Sequence, residues 1–209
     1  NVIEVLKKNK IDFYKTGMDH GTITAVINKK SFEITSLRKD IKTDGRHAEV
    51  IYTNNWLEDA SRRDFTINAI YSDLEGNLFD PFNGRKDINE GLIKFIGDPA
   101  KRIKEDYLRI LRYIRFSVGY SKKNHDLKTI KIIKQNLSGL KKVSKDRQLQ
   151  ELRKILSIRN LNKINSDKII RELFLLIFPE LKNINRINKI DPVSQQILNS
   201  KEFEFILSL

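Results

Sequence analysis

The sequence predicts an α+β protein, with a small antiparallel sheet in its first half and a run of helices after it. Three observations carry that expectation. Apolar and polar residues alternate with period two between Gly21 and Ser36. Turn residues cluster at Glu75-Gly76-Asn77 and at Asn83-Gly84. From Ala100 onward the apolar positions recur with helical spacing, and Tyr107, Leu111, Ile114 and Val118 form one stripe.

Taken in order, "NVIEVLKKNKIDF" reads as a short amphipathic helix with Val2, Val5, Leu6 and Ile11 on one side. Two antiparallel strands follow, carrying Ile23, Ala25 and Ile27, then Phe32 and Ile34, around a turn from Asn28 to Ser31. "DGRHAEVIYTNNWLEDASRRD" has little periodicity and reads as a polar connection with a short helix. "FTINAIYSD" suits helix or strand, whereas Glu75-Gly76-Asn77 joins two short strands and Asn83-Gly84 makes a further turn. "GLIKFIGDP" is a short strand ending at Gly97 and Pro99. After the helix holding Tyr107 and Val118, helices are expected over 126–137, 144–157, 166–177 and 193–208. Ser144 and Asp146 are candidate N-caps, and Pro179 and Pro192 mark stops. The expected boundary lies near residue 98, with 1–98 holding the sheet and 99–209 the helices.

Composition narrows the function classes. The 209 residues hold 39% apolar and 32% charged side chains, the profile of a globular chain. No apolar run approaches the ~18 residues that a membrane span requires. Cysteine is absent, which excludes a disulfide framework and a thiolate metal site and fits a cytoplasmic location. The formal net charge is +13. Residues 121–209 carry 19 basic and 9 acidic residues against 21 and 18 in residues 1–120. The excess therefore belongs to the helical part and suits a polyanionic partner, although a solvated Lys-rich surface accounts for it as well.

Two stretches place polar residues against apolar runs. In "SRRDFTINAIYSD", residues 61–73, Arg62, Arg63, Asp64 and Asn68 flank a segment with core character. One arginine suits a ligand phosphate while the other braces Asp64, and Asn68 suits a tie between backbone segments. In "KEDYLRILRYIRF", residues 104–116, the three-residue step puts Asp106 and Arg109 on one helix face, with Arg112 and Arg115 drifting round the axis. An acceptor beside a fork of donors matches a nucleobase edge, and the outer arginines suit phosphates. Intrahelical ion pairs explain the same spacing. His125-Asp126 looks like a fragment of a metal phosphohydrolase site, but the further ligands such a site needs are not apparent. There is no glycine-rich phosphate loop.

The segments "GMDHGTITAV", "FEITSLRKD", "DGRH", "LEDASRRDFTINAI", "DPFNGRKDI", "IGDP" and "EDYLRILRYIRF" together resemble the bacterial class II tRNA nucleotidyltransferases, the CCA-adding enzymes, and their poly(A) polymerase relatives. The resemblance covers about residues 15–118, with an echo at "DRQLQELRKIL". It implies a partial DNA polymerase β-like nucleotidyltransferase head over 1–98, followed by an all-helical neck and body over 99–209. It implies that Arg63, Asp106, Arg109, Arg112 and Arg115 bind nucleotide, with Asp106 and Arg109 on the base edge of CTP or ATP. Arg62, Asp64, Asn68 and Glu105 would support the site, and Asp44, Gly45 and Arg46 correspond to a flexible specificity element that ends here in His47. Glu33 would be an acidic residue beside the metal site. The implied reaction is addition of CMP and AMP to the tRNA 3′ end with Mg²⁺ as cofactor. Poly(A) synthesis and a non-catalytic nucleotide- or RNA-binding fragment are the alternatives. The family's metal-binding D-x-D pair occurs nowhere in this chain, which holds no metal ligands of that kind. The expectation is therefore a fragment, or one half of a split enzyme, that lacks the upstream metal strand and part of the C-terminal region. Nothing in the sequence speaks to an oligomeric state.

Overall fold

A computed structural model describes residues 2–18, 21–44, 47–122, 124–158 and 162–182. It is α+β, as expected. The chain divides into two compact units, the first made of residues 1–42 and 49–62 and the second of 43–48 and 63–209.

In the first unit, helix α1 (Val2–Lys8) buries Leu6 against a three-stranded antiparallel sheet of β1 (Asp12–Tyr14), β2 (Thr22–Ile27) and β3 (Lys30–Thr35), in the order β1-β2-β3. The register pairs Ile23 with Ile34 and Ala25 with both Phe13 and Phe32. One face of β2 thus carries Ile23 and Ala25 into a small core with Leu6, as the alternation requires. The hairpin turn is tighter than expected. Only Asn28 and Lys29 lie between the strands, both at positive φ (50° and 63°), the two-residue geometry that matches strand twist. Phe32 remains 47% exposed.

The polar connection after β3 is a correction. Strand β4 (Arg38–Asp44) pairs with β5 (His47–Tyr52), and helix α2 (Trp56–Ser61) follows, capped by the Asn55 side chain on the Leu57 and Glu58 N–H groups. Burial cannot reveal such a strand from sequence when its apolar residues stay exposed, as Ile51 and Tyr52 do at 57% and 58%.

The main part of the second unit begins at Arg63. A 3-10 turn (Thr66–Asn68) leads to the two-stranded ribbon β6 (Tyr71–Ser72) and β7 (Leu78–Phe79), as the turn chemistry at Gly76 indicates. Asn83-Gly84 does not make a free turn but opens helix α3 (Gly84–Glu90). A Cβ at Gly84 would lie 2.3 Å from the Thr66 carbonyl oxygen, so only glycine lets α3 approach this close. The expected strand 91–99 is reduced to one bridge between Phe65 and Phe95.

Helices α4 (Pro99–Glu105), α5 (Leu108–Tyr120), α6 (Leu127–Asn136), α7 (Lys145–Leu156), α8 (Asn162–Ser166) and α9 (Lys168–Ile177) complete the described chain. Helix α5 packs against α7 and α9. It buries Ile110 and Tyr113 in addition to the expected Leu111, Ile114 and Val118, because neighbours cover more than one of its sides. Tyr107 is half-buried at its start, where Gly139 lets the ring pass: a Cβ there would lie 2.0 Å from it. Asp126 and Asp167 cap α6 and α9, and α9 stops just before Pro179. Ser144 occupies the N-cap position of α7 without a side-chain hydrogen bond, and Asp146 sits in its first turn. The helix expected over 193–208, with Pro192, lies outside the described residues. Among those described, no helix is long and apolar enough to cross a membrane.

Candidate functional site

The polar residues of the second unit are set by an aromatic anchor. Phe65 is fully buried, with ring centroids of Phe95, Phe116 and Tyr113 at 4.7, 5.4 and 6.2 Å. Burying Phe65 draws its neighbour Asp64 inside, and a buried carboxylate must find partners. It finds three: Arg112 Nε at 2.5 Å, Asn68 Nδ2 at 2.8 Å and the Phe65 N–H at 3.0 Å. Burial alone would push the Asp64 carboxyl up. The Arg112 guanidinium, with help from Asn68 and the Phe65 N–H, reverses this and holds it below its ordinary value. Asn68 therefore ties the 3-10 turn to Asp64, close to the role expected of it.

Arg62 does not brace Asp64. Its Nε and Nη2 both reach Asp59 Oδ1 at 2.8 Å, within the first unit. Arg63 places its guanidinium 5.9 Å from the Tyr71 ring centroid, and its carbonyl accepts a 2.6 Å hydrogen bond from Arg102 Nη2.

The shared helix face of Asp106 and Arg109 is also a correction. Asp106 ends α4 in an extended conformation, φ −153° and ψ 106°, so the helical run expected from Ala100 breaks there. Its Oδ1 accepts the Leu108 N–H at 3.1 Å and so caps the start of α5. Its Oδ2 pairs with Arg147 of α7 at 2.8 Å. Arg109, the second residue of α5, turns back to Glu105: Nη1 donates to Glu105 Oε2 at 2.6 Å and to the Arg102 carbonyl at 2.7 Å. Arg102 Nη1 meets the same Glu105 oxygen at 2.6 Å. Glu105 thus pairs with Arg102 within α4 and with Arg109 across the break, and Asp106 takes no part in a pairing along one helix.

Further along α5, Arg115 Nε donates to Glu151 Oε2 at 2.8 Å, and Arg112 Nη1 lies 4.0 Å from Glu151 Oε1. The two arginines flank the Phe116 ring at 5.5 Å (Arg112) and 4.2 Å (Arg115). Burial pushes the Glu151 carboxyl up, and its bond to Lys154 and the charge of Arg115 more than offset that and bring it below its ordinary value. Arg112 moves the other way: burial disfavours its charge, and Asp64 and Glu151 more than restore it. One compact unit thus holds Arg63, Arg102, Arg109, Arg112, Arg115 and Arg147 around Asp64, Glu105, Asp106 and Glu151. Fixed guanidinium forks beside oriented carboxylates can bind phosphates and read the edge of a base.

The comparisons with known proteins point the same way. Residues 1–94 match the model of the poly A polymerase head domain. The human protein "CCA tRNA nucleotidyltransferase 1, mitochondrial" is 48% identical over 148 residues, which cover 70% of this chain and 34% of the relative. The chain is similar to this nucleotidyltransferase family over most of its length. The CCA-adding enzyme of Staphylococcus aureus (strain MRSA252) is 32% identical over 187 residues, covering 87% of this chain and 46% of that enzyme. The crystal structure of the Bacillus stearothermophilus CCA-adding enzyme in complex with CTP matches with a TM-score of 0.63 at 33% identity, over 71% of this chain and 35% of that one. This chain therefore spans between a third and a half of the length of these relatives.

The remaining expected site residues fall outside this cluster or outside its description. Glu33 is exposed on β3, facing Thr24 across the hairpin in the first unit. Asp44 ends β4, and Gly45 and Arg46 lie outside the described residues. His125 and Asp126 are structural: Nε2 of His125 pairs with Asp167 Oδ2 at 2.7 Å, Nδ1 meets the Tyr113 hydroxyl at 3.2 Å, and Asp126 caps α6. Arg102, Arg147 and Glu151 were not singled out from sequence. The available signal was the i, i+4 spacing of Arg147 and Glu151 on α7, within the echo "DRQLQELRKIL".

The likeness to this family implies a divalent metal ion. No group of three or more His, Asp or Glu among the described residues could hold a metal ion, and the sequence contains no D-x-D. These residues do not fit the ion.

Proposed function

We propose that this chain supplies the nucleotide-selecting part of a template-independent tRNA nucleotidyltransferase that adds CMP and AMP to tRNA 3′ ends from CTP and ATP. The observation that supports it most is the gathering of Arg63, Asp106, Arg109, Arg112 and Arg115 in one compact unit of a chain similar to CCA-adding enzymes. Arg63, Arg112 and Arg115 would meet phosphates, while Asp106 and Arg109 would face the base. Glu105 would position Arg109, and Asp64 with Asn68 would position Arg112. Glu33, Asp44, Gly45 and Arg46 keep the metal-side and specificity roles that the family resemblance implies, and Arg62 supports the segment before Arg63. In the same reading, 1–98 form the head and 99–209 the helical neck and body. The head-domain match to residues 1–94 favours that division. Mg²⁺ activation would come from carboxylates outside this chain, and the setting would be the cytoplasm.

Equilibrium binding tests the reading. The chain is expected to bind CTP and ATP more tightly than UTP and GTP. Incubated with Mg²⁺, labelled ATP or CTP, and tRNA lacking its 3′ end, it is expected to incorporate no label by itself. Equal binding of all four nucleotides would defeat the reading, and robust incorporation would show that the chain holds catalytic carboxylates of its own.

A second expectation concerns RNA. The charge excess of residues 121–209 should carry tRNA affinity through phosphate contacts. Cutting the chain at residue 120 would strip α5 of α7 and α9, so exposed lysines are the better probe. Replacing Lys128, Lys131, Lys141 and Lys145 by Gln should weaken tRNA binding and flatten the plot of log K against log salt. The slope should change by about 1 per lost phosphate contact. An unchanged slope and affinity would place the RNA surface elsewhere.

A further inference from the structure

Apart from the arginine row, the second unit holds a cavity of about 260 Å³ lined from α5, α8 and α9. That is just under the roughly 300–1,000 Å³ of sites for drug-sized ligands, so an occupant must be small. Ser117 and Val118 of α5, Ile170 of α9 and the N-cap Asp167 line it and are all buried. Lys122, just past the end of α5, and Lys163 of α8 also line it and are more exposed.

The acceptor in this lining is satisfied and the donors are not. Asp167 Oδ2 pairs with His125 Nε2 at 2.7 Å, and Oδ1 accepts the Ile170 N–H at 3.2 Å. Ser117, only 2% exposed, has a hydroxyl with no hydrogen-bond partner among the described residues. The Tyr113 hydroxyl, one turn back, is near enough to be influenced by it but not to form a bond. Lys122 Nζ is anchored on the Asn89 carbonyl at 2.6 Å and Lys163 Nζ on the Gly119 carbonyl at 3.2 Å. An ammonium has three donors, so each keeps donors beyond its anchor. Two positive charges also outweigh the one negative charge of Asp167.

We propose that this cavity binds a small organic monoanion, a carboxylate on a short apolar chain. The carboxylate accepts from the Ser117 hydroxyl and the two ammonium groups, and the chain rests on Val118 and Ile170. A buried hydroxyl without a partner is costly, and the occupant supplies the missing acceptor. The lining residues belong to none of the groups assigned to nucleotide, so the inference stands independently of the nucleotidyltransferase reading. An occupant that touches α5, α8 and α9 together binds only the folded chain, and so raises its melting temperature.

The test is calorimetric titration of the whole chain and its variants with butyrate, inorganic phosphate and butylamine, alongside thermal melts. Butyrate is expected to bind saturably and to raise the melting temperature. It should bind at least about tenfold tighter than phosphate, which has no apolar chain to bury, and tighter than butylamine, which has the wrong charge. Ser117→Ala should lower butyrate affinity about five- to tenfold, the scale of one lost hydrogen bond to a charged group. Without butyrate the same variant should melt at or above the wild type, because the hydroxyl it removes bonds to nothing. Replacing both Lys122 and Lys163 by Gln should remove most of the preference for butyrate over butylamine. Absence of saturable butyrate binding would overturn the proposal. So would an affinity unchanged in folded Ser117→Ala, or phosphate that displaces butyrate at equal concentration.

Discussion

Asp64→Ala is expected to destabilise the second unit by roughly 2–4 kcal/mol, a little less than the usual cost of breaking a buried ion pair because water can reach part of the exposed arginine. The Asp64 side chain is 8% exposed and that of Arg112 30%. Removing the carboxylate leaves the Arg112 guanidinium, the Asn68 amide and the Phe65 N–H without their shared acceptor. Spread over a domain of this size, the loss corresponds to a fall in melting temperature on the order of 5–15 °C. Asp64→Asn should cost less, because its amide oxygen still accepts from the backbone. The same network predicts the acid limb. The carboxyls of Asp64 and Glu151 sit below their ordinary values of 3.8 and 4.5 in the folded chain. Their stabilisation is therefore complete above those values and is lost as pH falls through the lower folded ones. Melting temperature should hold from pH 7 to about 5, then drop, and Asp64→Asn should show a shallower drop. A variant Asp64→Ala that melts with the wild type, or an acid limb identical in Asp64→Asn, would show that the pairing contributes nothing.

The second large effect concerns selection of the base. Replacing both Asp106 and Arg109 by alanine should abolish the preference for CTP and ATP. The carboxylate accepts from the exocyclic amine that cytosine and adenine share, and the guanidinium donates to the adjacent ring nitrogen. Guanine and uracil present a carbonyl and a ring N–H there, so both contacts are reversed. At about 1–3 kcal/mol for each mispaired group, two mismatches amount to roughly a hundredfold discrimination. The broken helix at Asp106 does not remove this possibility. Both contacts of Arg109 use Nη1, so among the described residues its other donors carry no bond. Asp106 keeps a lone pair on each oxygen. Competition binding of the four nucleotides to wild type and double variant measures the outcome. If the variant lost affinity for all four equally and kept its ratios, the two residues would be structural, as their ties to Glu105 and Arg147 allow.

What the sequence by itself determined is local or contiguous. The hairpin of β2 and β3 follows from period-two alternation around Asn28, and α6, α7 and α9 follow from periodic apolar residues, with a proline stop after α9. The family followed from motifs that run together in the chain, RRDFTINA and EDYLR. Strand β5 escaped because Ile51 and Tyr52 stay exposed, and the end of α4 at Asp106 escaped because i, i+3 spacing reads the same with or without a break. Only the tertiary structure decided the pairing of charges. Asp64 meets Arg112, 48 residues away, rather than the adjacent Arg62; Arg115 meets Glu151 across 36, and Asp106 meets Arg147 across 41. Ion pairing is neither directional along the chain nor specific to one guanidinium among many. Which arginine reaches which carboxylate is settled by the apolar packing that brings α4, α5 and α7 together, with Phe65 fixing Asp64 beneath them.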